Sequence, residues 1–259
     1  MSTSIAISRT EPGSAGAVKA VSVVSTGTVR IRPEHPYGTR KPPYWWLLTS
    51  RQWTPPRPMN VYGRSKLQAE EVVRSYGQSL ETSIVRISET YGPGDFRLLK
   101  LFRALERGRF VIIGDGLNRR QAIHVADLVR GLLLAAESPA ATGETFVMAG
   151  QETMTTREMV QQVASAVGRR APRRRLPLWP FLAAAVLFEW TLTPLGVQPP
   201  LHRRRLDFFR KSFVLSSAKA RTVLDFTPAV PFAVGAVETA NWYREKGYLS
   251  SGGTRLNGG

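Results

Sequence analysis

Tyr62 and Lys66 are the two residues of this chain whose types and spacing point most directly to chemistry. They stand four positions apart in the stretch Met59-Asn60-Val61-Tyr62-Gly63-Arg64-Ser65-Lys66. On a helix, residues i and i+4 lie on one face, so the lysine ammonium can lie beside the tyrosine phenol. A positive charge there favours the phenolate and lowers the pKa of the tyrosine from about 10. The pair is therefore a candidate proton donor and acceptor.

Further motifs occur in order around this pair. They are Val18 to Val29, which reads as a strand ending in Ser25-Thr26, then Val85-Arg86-Ile87-Ser88-Glu89-Thr90-Tyr91-Gly92-Pro93, Ile113-Gly114-Asp115-Gly116, His124-Val125-Ala126-Asp127, Ser217 to Arg221 and Trp242 to Gly247. Together with the tyrosine and lysine they resemble the extended short-chain dehydrogenase/reductase family, which includes the NAD-dependent epimerase/dehydratases and the 3β-hydroxysteroid dehydrogenase-like enzymes. Several ordered matches are more specific than any single motif.

The resemblance implies a role for three residues in catalysis. Tyr62 would exchange a proton with the substrate oxygen, and Lys66 would lower the pKa of the phenol and bind the ribose of NAD or NADP. Thr26 would donate a hydrogen bond to the developing alkoxide. Each has a plainer alternative, since Thr26 could be a satisfied hydroxyl at a strand end, and a tyrosine and lysine four apart can be a half-buried ring beside a solvated amine.

The resemblance also implies the surroundings of the cofactor and the substrate. The backbone near Ile87 and Thr90 would pass the carboxamide end of the cofactor. Two clues to the substrate conflict: nucleotide-sugar epimerases of the family carry Asn where this chain has Glu89, whereas Arg120 stands where they place an arginine on the nucleotide phosphates. Arg120 could equally be a surface arginine. Gly27-Thr28 replaces the Asp-Glu pair of the family's dehydratases, which argues against dehydration.

The glycine-rich turn that cradles the cofactor's pyrophosphate in this family is not found in the sequence. Gly13, Gly16 and Gly27 do not have the Gly-x-x-Gly-x-x-Gly spacing between a first strand and a first helix. We expect a longer protein, a partner that supplies this part, or a remnant that binds dinucleotide weakly. The residue that would distinguish NAD from NADP follows the second strand of the family and is not identified here either.

The order of elements predicts an α/β fold, a partial Rossmann-like parallel sheet followed by a smaller, mainly helical C-terminal substrate lobe. We expect strands near 21–24, 82–87, 110–113 and 144–148, and helices near 60–76, 96–106, 125–137 and 156–167, the last begun by a Thr155 to Glu158 capping box. The expected division is a frayed start at 1–17, the Rossmann-like domain at 18–150, the lobe at 151–249 and a flexible tail at 250–259. Residues 30–58 are predicted to be an irregular covering loop.

Composition excludes some classes of function. The chain has 259 residues, no cysteine, and 36 Lys plus Arg against 19 Asp plus Glu, a formal charge of +17. Disulfides and thiolate metal sites are excluded, and no metal site or specific nucleic-acid module is predicted. The charge is interpreted either as arginine-rich solvated surface or as attraction to anionic ligands or membranes. No secretory signal is visible, so a cytoplasmic location is expected.

Residues 176–197 are apolar and lie between arginine clusters, but Pro177, Pro180, Glu189 and Pro194 argue against a membrane span. A substrate-facing helix and a weak membrane-surface contact are the alternatives.

The sequence thus predicts an NAD(P)-dependent oxidoreductase or epimerase that acts on a secondary alcohol or ketone. A sterol-like or other lipid-like substrate is favoured over a nucleotide sugar. Homodimer formation is common among relatives. A catalytically silent truncated fragment and a basic membrane-surface protein are the other classes.

Overall fold

The computed structural model describes the backbone of residues 5–6, 19–25, 49–50, 61–193, 196–201 and 203–250, and, from residue 63 onward, their side chains except 204 and 205. The strands are β1 (Ile5–Ala6), β2 (Lys19–Ser25), β3 (Thr49–Ser50), β4 (Glu81–Ile87), β5 (Glu89–Tyr91), β6 (Ile112–Ile113), β7 (Arg119–Arg120), β8 (Ala122–His124), β9 (Thr145–Met148), β10 (Met154–Thr155), β11 (Arg175–Leu176) and β12 (Val214–Leu215). The helices are α1 (Val61–Ser75), α2 (Leu99–Glu106), α3 (Val125–Glu137), α4 (Thr156–Ala166), α5 (Leu178–Leu192), α6 (Arg203–Arg210), α7 (Ala218–Leu224) and α8 (Phe232–Glu245).

The chain forms two compact units whose segments alternate along the sequence. The first unit comprises Met1–Tyr91, Gln121–Thr153 and Phe213–Pro231, and the second comprises Gly92–Arg120, Met154–Ser212 and Phe232–Gly259. Each unit is therefore assembled from three segments that are far apart in the sequence.

A four-stranded sheet in the order β1-β2-β4-β9 forms the centre of the first unit. β2, β4 and β9 are parallel, with Ser25 opposite Ile87 and Ile87 opposite Met148, whereas β1 is antiparallel to β2. The matched register brings the carboxyl ends of three strands to one edge. In α/β sheets this edge is where ligands bind. The parallel pairing confirms the predicted α/β class.

Helices pack on both faces of β4. Val85 belongs to a buried cluster with Leu128 and Leu132 of α3. Arg86 lies on the opposite face and donates hydrogen bonds to Glu70 of α1. The same cluster includes Phe146 and Phe226, which join β9 to the segment after α7. β4 is thus enclosed between two helices, as expected for a parallel strand.

The second unit is mainly helical. α4 packs against α8 and α2, and α5 packs against α6. Its short strands pair as β6 with β11, parallel, and β7 with β10, antiparallel. Phe102 and Tyr243 make an edge-on ring contact at 5.2 Å between α2 and α8, and the Tyr243 hydroxyl donates a hydrogen bond to the Asp95 carbonyl.

Most predicted elements in the described ranges are found. α3 has the predicted bounds, α1 lies within residues 60–76, and α4 begins with the predicted capping box, in which the Thr155 hydroxyl accepts from the Glu158 amide at 3.1 Å. α2 begins three residues later than predicted, and the strand expected at 110–113 is confined to Ile112–Ile113. Ile5–Ala6 form β1 within the segment expected to be frayed, and Thr49–Ser50 pair with β12 within the predicted loop, whose other residues lie outside the described ranges.

None of the helices in the described part of the chain is both long enough and apolar enough to cross a membrane. The apolar segment 176–197 contains the last residue of β11 and the 15-residue helix α5.

Candidate functional site

Helix α1 has a polar buried face. Its three buried positions from residue 63 onward are Gly63, Lys66 and Glu70, spaced i, i+3 and i+7, which places them on one side of the helix. Lys66 is 7% exposed and Glu70 2%. Buried lysines and glutamates are rare unless they are paired, so α1 is not an ordinary core helix. Tyr62 lies in its first turn, and the side chain of Tyr62 is outside the described part of the structure.

Glu70 joins α1 to strand β4. Arg86 donates from Nε to Glu70 Oε1 and from Nη2 to Oε2, both at 2.8 Å, and Arg74 donates to Oε2 at 2.8 Å. Burial by itself would raise the pKa of Glu70, but the hydrogen bonds and charges of Arg86 and Arg74 outweigh it and hold the pKa below its usual range. The two-pronged contact sets the position of α1 on the face of β4.

Sequence reasoning did not identify Glu70 and Arg86 as part of the site. Two signals were available: Glu70 follows Lys66 by one helical turn, and Arg86 interrupts an otherwise apolar strand end between Val85 and Ile87. A charge at each place is costly without a counter-charge, so the pattern indicates that each residue has a charged partner without identifying that partner.

The carboxyl end of β4 carries the residues expected near the cofactor. Ile87 and Thr90 are both partly buried and are separated by Ser88 and Glu89. The Ser88 amide donates to the Met148 carbonyl at 2.9 Å, which fixes this turn to β9. The Ser88 hydroxyl is buried and has no hydrogen-bond partner within the described ranges. A buried hydroxyl at this edge is a hydrogen-bonding position for a polar ligand.

Thr26, the third predicted catalytic residue, lies outside the described residues. The strand that leads to it, β2, ends at Ser25 directly opposite Ile87. The path of the described backbone therefore brings the chain to this same edge just before Thr26.

Arg120 belongs to the second unit and is buried, not a surface arginine. Its Nη1 donates to the Phe208 carbonyl at 2.8 Å, and its guanidinium lies 4.0 Å from the centre of the Phe208 ring. Both contacts attach β7 to α6. Glu89 is a partly buried residue of β5 in the first unit.

His124 and Asp127 lie where β8 meets α3. His124 makes an edge-on contact with the Tyr91 ring at 5.2 Å. Asp127 accepts hydrogen bonds from the amides of Ala229 and Val230, both at 2.9 Å, and from Arg130. These contacts hold the start of α3 against residues 229–230, which is a structural role for Asp127.

A family model described as "NAD dependent epimerase/dehydratase family" matches residues 17–149. The chain belongs to the NAD dependent epimerase/dehydratase family. The match includes α1 with Tyr62 and Lys66, the pair Glu70 and Arg86, and the edge formed by β2, β4 and β9. The family resemblance found in the sequence is thereby confirmed, and the family is NAD-dependent.

Curated relatives of this family member differ in the reactions that their names describe. It is 29% identical to an uncharacterized protein of Sinorhizobium fredii over 90% of the chain and 65% of that protein. It is 26% identical to a dTDP-glucose 4,6-dehydratase of Streptomyces niveus, covering 84% and 57%, and 26% identical to a sterol-4-alpha-carboxylate 3-dehydrogenase of Schizosaccharomyces pombe, covering 71% and 57%. The chain spans just under two thirds or less of the length of these relatives.

Solved structures with the same fold include two cofactor complexes. RMD from Pseudomonas aeruginosa, solved with NADPH, has a TM-score of 0.62 at 14% identity and covers 89% of this chain and 68% of that one. UDP-glucuronic acid 4-epimerase from Bacillus cereus, solved with NAD, has a TM-score of 0.58 at 20% identity, with 88% and 62% covered. These likenesses confirm the Rossmann-like fold of the family member.

Proposed function

We propose that this chain carries the proton-transfer site of an NAD(P)-dependent oxidoreductase or epimerase that acts on a secondary alcohol or ketone. The observation that carries the proposal is the buried polar face of α1, which the Glu70 to Arg86 contact attaches to β4 beside the carboxyl edge of the sheet. Lys66 is buried on α1 one turn from Tyr62, and a tyrosine and a lysine at this spacing on a helix can bring a cation beside a phenol, the arrangement that the chemistry requires.

In the proposed mechanism, Tyr62 takes the proton from the substrate hydroxyl during oxidation and returns it during reduction. Lys66 keeps the phenol acidic enough for this exchange. Thr26 donates a hydrogen bond to the substrate oxygen as negative charge develops on it. The bound nicotinamide supplies or accepts the hydride. Epimerisation would use the same groups twice, through a transient ketone.

The described residues at the edge of the sheet suit the nicotinamide end of a dinucleotide. The Ser88 hydroxyl is buried without a partner within the described ranges, and the backbone of Ile87 and Thr90 flanks it at the end of β4. Lys66 is a buried donor of the kind that a ribose hydroxyl accepts from. The sequence lacks the glycine-rich phosphate turn of the family, so we expect the chain by itself to bind NAD(H) or NADP(H) weakly.

For the substrate we propose an apolar secondary alcohol, sterol-like or otherwise lipid-like. Glu89 is a partly buried carboxylate, which repels a diphosphate. Arg120 is buried and already binds the carbonyl and the ring of Phe208, so moving it to a phosphate would cost both contacts. A nucleotide sugar is the second candidate, because the named relatives include dTDP-glucose dehydratases as well as a sterol dehydrogenase.

Activity of the purified chain with Tyr62→Phe tests the proposal. With millimolar NAD or NADP and a sterol-type secondary alcohol, dTDP-glucose or UDP-glucose as substrate, reduced nicotinamide measures net oxidation. Chromatography of the products measures epimerisation, which returns the hydride to the substrate and leaves no net reduced nicotinamide. Loss of a positioned acid and base lowers kcat by about 100-fold or more. Tyr76→Phe is the matched control, because Tyr76 is 54% exposed just after α1 ends, and its loss should leave the rate unchanged.

Two outcomes would contradict the proposal. One is a Tyr62→Phe variant that turns over as fast as the unchanged chain, and the other is no turnover by the unchanged chain with any of these substrates. The preferred substrate separates the two candidates, since dTDP-glucose or UDP-glucose turned over in preference to the sterol would replace the apolar alcohol.

A further inference from the structure

Helix α5 exposes its apolar side chains to solvent along one face. Trp179, Ala183, Val186, Leu187 and Trp190 are all exposed and are spaced i, i+4, i+7, i+8 and i+11, which places them on one side of the helix. We call these five residues the apolar stripe. Trp179 is 72% exposed, Trp190 83% and Leu187 59%. A surface helix ordinarily turns such residues inward, so this face requires a partner.

The other side of α5 is the one that packs within the second unit. Ala185 is fully buried, and α5 contacts α6. Glu189 is the only charged residue of the helix, and it accepts hydrogen bonds from the amide and from Nε of Arg203, both at 2.7 Å. The contact gives this carboxylate a counter-charge, so it does not oppose an anionic partner.

Exposed arginines precede α5 in the chain. Arg169 and Arg170 follow α4, and Arg173, Arg174 and Arg175 are separated by Leu176 alone from Pro177, at which the helix is capped. All five side chains are exposed. The chain as a whole has a formal charge of +17. Cations of this number that precede a helix with an apolar stripe suit a surface that offers both hydrocarbon and negative charge.

We propose that the apolar stripe docks on the surface of an anionic phospholipid bilayer, with the arginines of residues 169–175 at the headgroups. α5 has 15 residues and is about 22 Å long, less than the roughly 30 Å of a bilayer core, so it lies along the surface and does not span it. The tryptophans at its two ends occupy the headgroup level, where tryptophan is enriched. The proposal is independent of the catalytic function of Tyr62.

A second copy of this chain is the competing occupant of the stripe. Two such surfaces brought face to face would also bring two sets of arginines and two charges of +17 together. An anionic bilayer is attracted by the same charge that repels a second copy. Charge therefore favours the lipid surface.

Co-flotation of the full chain with vesicles tests the proposal. Vesicles of phosphatidylcholine with about one third phosphatidylglycerol are compared with pure phosphatidylcholine, at low and at high salt. We expect binding to the anionic vesicles that weakens at high salt. Trp179→Ala with Trp190→Ala should weaken it at least tenfold, because each removes a large apolar side chain from the interface. Arg173→Gln with Arg174→Gln should weaken it about fivefold per charge.

Matched variants control for composition and folding. Val234→Ala with Val237→Ala removes exposed apolar side chains from α8, and Arg221→Gln with Lys246→Gln removes two exposed positive charges elsewhere. Both should float as the unchanged chain does. Circular dichroism and the melting temperature of every variant verify that it is folded. Brominated lipid should quench the tryptophan fluorescence of the unchanged chain and of the controls, and it should quench that of the double tryptophan variant much less.

Three results would overturn the proposal. They are failure of the unchanged chain to float with anionic vesicles, equal flotation of a folded Trp179→Ala, Trp190→Ala variant, and sedimentation showing a dimer that this variant dissociates while no vesicle binding occurs.

Discussion

Replacing Glu70 by Gln should destabilise the first unit, because Glu70 is the carboxylate that joins α1 to β4. Glu70 is 2% exposed and accepts three hydrogen bonds of 2.8 Å from Arg86 and Arg74. The Arg86 side chain is only 11% exposed, so the substitution leaves a buried guanidinium without its counter-charge. Breaking a buried ion pair in this way costs about 3–5 kcal/mol, and we expect the lower end because glutamine keeps the shape and one acceptor.

Thermal and urea unfolding measure this cost. A loss of about 3 kcal/mol should lower the melting temperature by roughly 6–12 °C for a chain of this size. Glu71→Gln is the matched control: the same chemical change at the next residue, on the exposed side of α1, should alter the free energy of unfolding by less than about 0.5 kcal/mol. Glu70→Met combined with Arg86→Met should cost less than the sum of the single changes, because no buried unpaired charge remains and Arg74, whose side chain is 46% exposed, is solvated.

The pH dependence gives a second test of the same reasoning. The pKa of Glu70 is lowered in the folded state, so the contact stabilises the protein above the unfolded-state pKa of about 4.3 and this contribution is lost as pH falls through the lower, folded-state value. The difference in stability between the unchanged chain and Glu70→Gln should therefore shrink below about pH 4. A difference that is the same at pH 3 and pH 7, or a melting temperature unaffected by Glu70→Gln, would refute the assigned ion pair.

Two further predictions concern packing and a buried phenol. Gly131→Ala should destabilise the first unit by about 1–3 kcal/mol in urea unfolding, because a Cβ at this position would lie 2.9 Å from Phe226 Cε2 and 3.0 Å from Met148 Sδ. Val129→Ala is the control, because Val129 lies on the exposed side of α3 and its loss should have a much smaller effect. Equal losses of stability in the two variants would contradict the packing around Gly131. The pKa of the Tyr243 phenol is raised, first by burial and second by the charge of Asp95. As pH rises above about 10, the unchanged chain should therefore lose a contribution to its stability that Tyr243→Phe does not lose. Plots of stability against pH that run parallel for the two proteins above about pH 10 would contradict this.

Local patterns in the sequence predicted the bounds of helices and strands better than they predicted the contacts between them. The apolar period and flanking residues gave the bounds of α3, and Thr155 with Glu158 gave the start of α4, because both signals lie within a few residues of chain. The edge at Ser25 and Ile87 could also be predicted, since a short β-branched run and a polar end suggest a parallel strand that leads into a site. The ordered motifs are sufficient to indicate the family of the chain, because each lies within a short stretch of sequence.

Interactions between distant residues could not be obtained in this way. Glu70 and Arg86 are 16 residues apart, and the two-pronged hydrogen bond between them depends on how α1 packs on β4, which no local pattern specifies. For residues 176–197 the sequence left a substrate-facing helix and a weak membrane-surface contact as alternatives, and it did not identify the exposed face of α5. α5 is apolar on nearly all sides, so its sequence has no period that separates an exposed face from a packed one.

Helix α1 buries charged side chains and helix α5 exposes apolar ones, and both arrangements depart from the ordinary distribution. Substitutions on the two helices should therefore affect the stability of the folded chain differently. α1 buries charge, and part of that charge is compensated within the first unit by Arg86, so its removal must be measurable in the isolated chain. The apolar stripe of α5 is exposed, so Trp179→Ala with Trp190→Ala should leave the melting temperature nearly unchanged while it weakens vesicle binding. A large fall in melting temperature for that variant would mean that the two rings are already packed in the folded chain, and that the stripe is part of its core.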